Sequence, residues 1–328
     1  MRTISYSQAI REALAEEMER DEQVFLLGED IGELGGVFGV TKGLFDRFGA
    51  DRVLDTPISE EAITGAAVGA SLLGGRAVVE IMFSDFAMLA MDTIVNQAAK
   101  THYMTGGRLS APVTIRLVTG TAGATAAQHS QSIEAWFVHT PGLKCVAPAT
   151  PSDAKGLLKA AIRDPDPVCF FEHKLLYNAK GEVTDDAEPL PLGVGRVARE
   201  GTDVTVVAYL NTLREALAAA DSLAEDGVSV EVFDPRSLVP FDHEGLRASL
   251  EKTGRLLIAH EAPQRGGFGA EVAATAAGEC WELLRGPIVR VCGTNTPMPY
   301  APELERFVIP DAARIADAVR AMVATGVV

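Results

Sequence analysis

The sequence predicts an α/β protein of two domains, each built on a mainly parallel sheet with helices on both faces. Apolar runs of strand length alternate with segments of helical period almost from end to end, as in parallel strands joined by crossover helices. The length, 328 residues, suits two domains of about 150 residues each. The rhythm breaks once, over the polar, Pro-bearing stretch 178–193 (NAKGEVTDDAEPLPLG), and then restarts. The boundary is set inside that stretch, giving domains 1–185 and 186–328.

In the first domain, Ile10, Leu14 and Met18 recur at helical spacing and predict a helix over 8–21, followed by a short buried strand over 24–27. A helix of unusually small residues is expected over 60–73, reading as close-packed and buried, and a strand over 77–82. Met88, Met91, Ile94 and Val95 share one face of a helix over 85–104. Strands are expected over 113–118, 144–147 and 168–172, with helices near 132–138 and 152–163. The second domain reads as strands 204–209, 228–233, 256–260 and 288–292, alternating with helices 213–225, 244–252 and 268–284. A last helix covers 311–323.

The net charge of −16 repels phosphate backbones and anionic lipid, so neither nucleic acid nor membrane is an expected partner. Cys145, Cys169, Cys280 and Cys292 include no CxxC pair and sit mostly in apolar runs, reading as buried thiols of a reducing compartment. The first residues (MRTISYSQ) carry no apolar signal core, and a cytoplasmic protein is expected. Phosphate-loop, HExxH and GxSxG motifs are absent. Gly267-Phe268-Gly269 lacks the third glycine of a dinucleotide fingerprint, since position 272 is Val272. The 31 glycines cluster rather than spread, which predicts tight turns and close backbone approach.

Three polar segments fall where strands should end, and ligands of open parallel sheets bind at those ends. Gly28-Glu29-Asp30 follows the first strand. Asp55-Thr56-Pro57-Ile58-Ser59-Glu60 leads into the small-residue helix, with Glu60 in its first turn. A glutamate there can simply offset the helix dipole, but beside Gly65, Ala66, Ala67 and Gly69 it is also set for partial burial. Gln128-His129-Ser130-Gln131 follows a Gly/Thr/Ala-rich loop, and its amides and hydroxyl are partners that fix a histidine tautomer for acid–base work.

In order, FLLGED, DTPISEEAI, EIMFSDF, IVNQAAK, AAQHSQS, TPGLKCVAP, DAKGLL and FFEHKLLY, then FDPRSLVPFD and HEAPQRGGFGAE, span the whole chain. Together they resemble the β subunit of thiamine-diphosphate-dependent 2-oxo acid dehydrogenases, with acetoin dehydrogenase as a close relative. The resemblance implies a transketolase-like pyrimidine-binding domain over 1–185 and a transketolase C-terminal-like domain over 186–328. It implies a heterotetramer of two α and two β chains, the α chain holding the cofactor diphosphate through Mg²⁺ with a GDG motif that this chain lacks. It also implies a lipoyl-bearing dihydrolipoyl acyltransferase core as partner, and a 2-oxo acid or acetoin as substrate.

By position, Glu60 would bond the aminopyrimidine ring nitrogen of the cofactor, and Phe86 would pack on that ring's face. Glu29 would stand near a subunit boundary on a proton path between cofactors. His129 would line the substrate channel and aid acyl transfer to lipoyl-lysine. A potassium site is implied at Val113, Ala161, Ile162, Asp164 and Asp166, where Asp166 replaces the asparagine of many relatives. Retention of Glu60, Phe86 and His129 together weighs against the alternative of a non-catalytic scaffold that keeps the fold.

Overall fold

The computed structural model describes residues 1–185 and 187–324. By its contacts the chain forms two units. The first comprises Met1–Thr119 and Trp136–Leu192; the second comprises Gly120–Ala135 and the chain from Gly193 onward. The boundary expected from the sequence falls at Asp186, which lies outside the described residues.

The first unit centres on strands that run across the sheet as Lys144–Val146, Val168–His173, Val113–Thr119, Arg76–Ile81, Val24–Gly28 and Val53–Asp55, each neighbour parallel. Every residue of Val113–Thr119 is buried, as a central parallel strand covered on both faces requires. The helix Tyr6–Arg20 starts at a capping box, in which Ser5 Oγ accepts from Gln8 N and Gln8 Oε1 accepts from Ser5 N. Its Ile10, Leu14 and Met18 share a core with Leu157, Leu158 and Ile162 of the helix Pro151–Arg163. Lys155, fully buried, bonds Glu12 (3.0 Å) and Glu16 (2.7 Å) at the edge of this contact.

Three features differ from expectation. The helix Glu60–Ser71 buries one face only, through Glu60, Ile63, Thr64, Ala67, Val68 and Ser71. Glu61, Ala62, Ala66 and Gly69 on its other face are exposed, a distinction that glycine and alanine do not mark in the sequence. The single helix expected over 85–104 is a 3₁₀ segment Ser84–Ala90, a π segment Thr93–Ala98 and an α-helix Ala99–Met104. Thr93 Oγ1 in the π segment donates to Glu61 Oε1 (2.6 Å); apolar period marks a helix but not where its ladder tightens or widens. Arg2–Ser5 pairs antiparallel with Lys180–Val183, a ribbon too short and polar to register as alternating strands.

In the second unit the sheet runs Val289–Gly293, Leu256–Pro263, Val204–Ala208, Val230–Asp234, all parallel, and ends on an antiparallel strand Arg196–Arg199. That edge strand is only half-buried throughout, so it lacks the apolar run that marks the others. Helices Asn211–Glu225, His243–Thr253, Gly269–Glu279 and Ala312–Ala324 match the expected series. The short helix Pro302–Val308 was not expected. No helix among the described residues is long and apolar enough to cross a membrane.

Candidate active site

The first cluster forms where parallel strands of the first unit end. Gly28 and Asp55 are register partners, and Thr56 N donates to Gly28 O (3.0 Å), so the two segments picked out in the sequence leave the sheet side by side. Asp30 takes a left-handed conformation (φ 58°) that turns the chain back over this end. Burial, with Asp30, Glu60 and Asp55 adding negative charge, pushes the Glu29 carboxyl above its usual range. Glu29 and Glu60 are thereby brought within electrostatic reach of each other.

Glu60 is 7% exposed. Its backbone carbonyl accepts from Thr64 Oγ1 (2.7 Å), while no hydrogen bond or ion pair from the described residues reaches its carboxylate. The neighbouring Ser59 makes no side-chain cap bond. Simple dipole compensation does not need a buried carboxylate, and the exposed Glu61 stands in the same first turn to provide it. Thr56 Oγ1 is also buried, with no hydrogen-bond partner among the described residues. A buried carboxylate and an orphaned hydroxyl are what a nitrogen heterocycle with both donor and acceptor atoms would satisfy. Phe86 is half-buried and lies edge-to-face with Phe83 (centroids 6.0 Å), which meets Phe38 (5.9 Å) and lies under the Lys174 ammonium (5.1 Å).

Behind this cluster lies a charged group the sequence reading missed. Arg116 Nε and Nη2 fork onto Glu172 (2.6 and 2.8 Å), its Nη1 meets Glu80, and Tyr177 Oη donates to Glu172 Oε2 (2.9 Å). The Arg116 side chain is 1% exposed. Burial pushes the Glu80 carboxyl up, against the pull of Arg116. Burial likewise opposes the charge on Arg116, but Glu172 and Glu80 outweigh it and hold the guanidinium above its ordinary value. Glu80 pairs in register with Gly28. A Cβ at Gly36 (φ 82°) would stand 3.3 Å from Glu80 Oε1, so the loop after Glu29 lies directly over this group. The available signal was one charged residue inside each of three apolar runs, AVVEIMF, VTIRLVT and VCFFEH.

The residues assigned to potassium lie in the first unit, near the end of the helix Pro151–Arg163. Ile162 O and Asp164 O accept from Arg76 Nη1 (2.9 and 3.3 Å), and Ala161 O accepts from Asp164 N. The Asp164 carboxylate takes Lys144 Nζ (2.6 and 2.8 Å), and Asp166 takes His102 Nδ1 (2.7 Å) and Lys144 (3.4 Å). Val113 starts the adjacent strand, and the oxygens the resemblance assigns to potassium are carbonyls and carboxylates, the hard donors such an ion takes.

His129 belongs to the second unit, on the segment Gly120–Ala135. It is half-buried, and its N–H points to Ala126 O (3.5 Å). The loop is tightly wound: Gly120, Gly123, Ala124 and Ala126 all have positive φ. Thr125 and Ser130 hydroxyls bridge it (2.6 Å), and Gly120 N donates to Gln131 O (3.2 Å). At its far end Glu134 is 2% exposed, and its Oε2 has no partner among the described residues. Burial, with Glu261 nearby, pushes the Glu134 carboxyl up to about 7.

Glu134 therefore makes stability pH-dependent. Between its ordinary value of 4.5 and about 7 the folded chain binds more protons at this site than the unfolded chain. Stability falls as pH rises through that window, by up to about 3 kcal/mol. Glu134→Gln, which cannot ionise, raises the unfolding midpoint at about pH 8.5 more than at about pH 5.5. Equal shifts at both pH values in thermal unfolding would show that Glu134 is charged throughout.

Fold and site define a protein of the transketolase class. Residues 2–180 match the family described as transketolase, pyrimidine binding domain, and residues 193–315 match transketolase, C-terminal domain. Among solved structures, a split gene transketolase described as an inactive β4 tetramer superposes with a TM-score of 0.81 at 25% identity, over 98% of both chains. Among curated proteins, the mitochondrial pyruvate dehydrogenase E1 component subunit beta-2 of Oryza sativa subsp. japonica is 46% identical over 96% of this chain and 84% of its own. The 2-oxoisovalerate dehydrogenase subunit beta of Bacillus subtilis is 46% identical over 98% of each chain. The acetoin:2,6-dichlorophenolindophenol oxidoreductase subunit beta of Cupriavidus necator is 46% identical over 97% of each. The chain belongs to the family of these dehydrogenase β subunits.

Proposed function

We propose that this chain is the β subunit of a thiamine-diphosphate-dependent 2-oxo acid dehydrogenase, the decarboxylating first component of its complex. Assembled with an α subunit as two α and two β chains, it decarboxylates a 2-oxo acid and passes the acyl group to lipoyl-lysine of the acyltransferase core. The observation that carries this reading is Glu60, a residue 7% exposed at the mouth of its helix whose carboxylate has no hydrogen-bond or ion-pair partner among the described residues.

When bound, thiamine diphosphate supplies the electron sink for cleaving the bond beside the substrate carbonyl. Glu60 holds a proton at its carboxyl and shares it with a ring nitrogen of the pyrimidine, which requires a slot with little water. Phe86 offers an aromatic face to the same ring. Glu29, whose pKa burial and its acidic neighbours raise, is set to carry a proton at the same strand ends. His129 aids acyl transfer from its loop in the second unit. Mg²⁺ is left to the α chain: no GDG motif occurs here, and among the described residues no group of three or more His, Cys, Asp or Glu is placed to hold a metal ion. A cytoplasmic setting goes with this reading, since all four cysteines are free and buried.

A second reading, cleavage of acetoin with the same cofactor, is favoured by equal identity to the acetoin-named relative. The chain alone is expected to be inactive, in keeping with the inactive β4 assembly of the similar solved structure. Adding the α subunit should give cofactor-dependent turnover, measured with pyruvate, branched-chain 2-oxo acids and acetoin. Activity of the chain by itself, or an assembled α/β pair inert on the whole panel, would overturn the proposal.

A further inference from the structure

The loop carrying His129 is costly to hold. Ala124 (φ 60°) and Ala126 (φ 59°) are non-glycine residues in the left-handed region, where a Cβ crowds the following carbonyl oxygen. Free loops of this composition would relax. This one is held because its N–H groups meet carboxylates from far along the chain, one buried (Glu305) and one partly buried (Glu261). Glu305 Oε1 accepts from Gly123 N (3.1 Å) and Glu305 Oε2 accepts from Ala124 N (2.7 Å). Glu261 Oε1 accepts from Thr121 N (2.7 Å).

Glu305 is 6% exposed, and among the described residues its carboxylate makes no ion pair. A carboxylate buried without a cation is expensive unless N–H donors replace its water. Here the donors come from two consecutive loop residues, one of them strained. Bidentate acceptance by one carboxylate fixes the orientation of both peptide groups, because neither N–H can turn without losing a charge-assisted bond. Ala124 lies five residues before His129, in a loop that Thr125 and Ser130 close on themselves. The orientation of those peptides is therefore passed along the loop to the imidazole.

We propose that Glu305 is the positioning residue of the His129 loop: its carboxylate, bonded to Gly123 N and Ala124 N, holds the left-handed turn that sets the imidazole for acyl transfer, with Glu261 fixing the loop's entry at Thr121. This rests on the reading that His129 serves acyl transfer. Glu305 touches no reacting atom and acts only through the backbone.

The test uses the assembled α/β enzyme with Glu305→Gln, which keeps the shape but leaves one acceptor for two N–H groups. Two half-reactions are compared: decarboxylation read with an artificial electron acceptor, and reductive acylation of a free lipoyl domain. Acylation is expected to fall about tenfold more than decarboxylation, since misplacement of a catalytic group by a fraction of an ångström has effects of that order. Amide hydrogen exchange at Gly123 and Ala124 should accelerate. The double variant Glu305→Gln/His129→Ala should be no slower in acylation than His129→Ala alone, because the two act as one unit. Equal loss in both half-reactions, unchanged exchange, or additive losses in the double variant would overturn the proposal. Wild-type acylation by His129→Ala would instead remove the role of the histidine, while the exchange rates still decide whether Glu305 holds the loop.

Discussion

Glu60→Gln lowers turnover of the assembled enzyme by between about a hundredfold and about ten-thousandfold, the range general acid–base groups contribute. The size follows from what the substitution removes. A glutamine fills the same volume in the same first turn but can neither take nor give a proton at its side-chain oxygen. The carboxylate makes no hydrogen bond with the described residues, so no structural bond is lost with it. Stability should therefore hold or rise, as a buried ionisable group gives way to a neutral one. Activity and unfolding midpoint thus move independently, which separates chemistry from folding. Turnover within about threefold of wild type, with the cofactor saturating, would be incompatible with a proton held at Glu60.

Arg116→Met has the largest expected effect on stability. Removing the guanidinium leaves Glu80 and Glu172, with side chains 5% and 0% exposed, as uncompensated buried charges. Breaking a buried ion group in this way costs about 3–5 kcal/mol, which lowers the unfolding midpoint by about 10 °C in a protein of this size. Adding Glu172→Gln should recover part of the loss, since one stranded charge is then neutral. A drop of less than about 2 °C for Arg116→Met would mean that water or protonation relieves the glutamates, and the group would not anchor the sheet beneath the Glu29 loop. Neither substitution touches the other's partners, so their effects should add.

The element series was legible because parallel strands and amphipathic helices leave strong, different periods. The places of Glu29 and Glu60 were legible for a related reason: Glu29 follows directly on the end of a strand and Glu60 opens the helix after the next one, the side of a parallel sheet where ligands bind. The helix Glu60–Ser71 was read as close-packed and buried, and which of its faces the rest of the chain covers was not legible because glycine and alanine carry no signal of it. Arg116, Glu80 and Glu172 went unread because each lies alone in its apolar run and only sheet order makes them neighbours. The anchoring of the His129 loop was the least accessible feature. Its bonds join residues 140, 181 and 182 positions apart, a distance over which local pattern carries no information.

That anchoring has a consequence for how the chain comes off the ribosome. The segment Gly120–Ala135 is synthesised inside the first unit, but its partners Glu261 and Glu305 emerge much later. The first unit must close around a span whose strained turns and half-exposed histidine wait for the rest of the chain, during the interval when nascent domains are most prone to misassociation. No single cut yields the second unit whole: a fragment beginning at Gly193 lacks the segment, and one ending at Leu192 carries it without anchors. Dissecting this protein into its halves, or permuting it at their junction, would dismantle a piece of the site that neither half can supply.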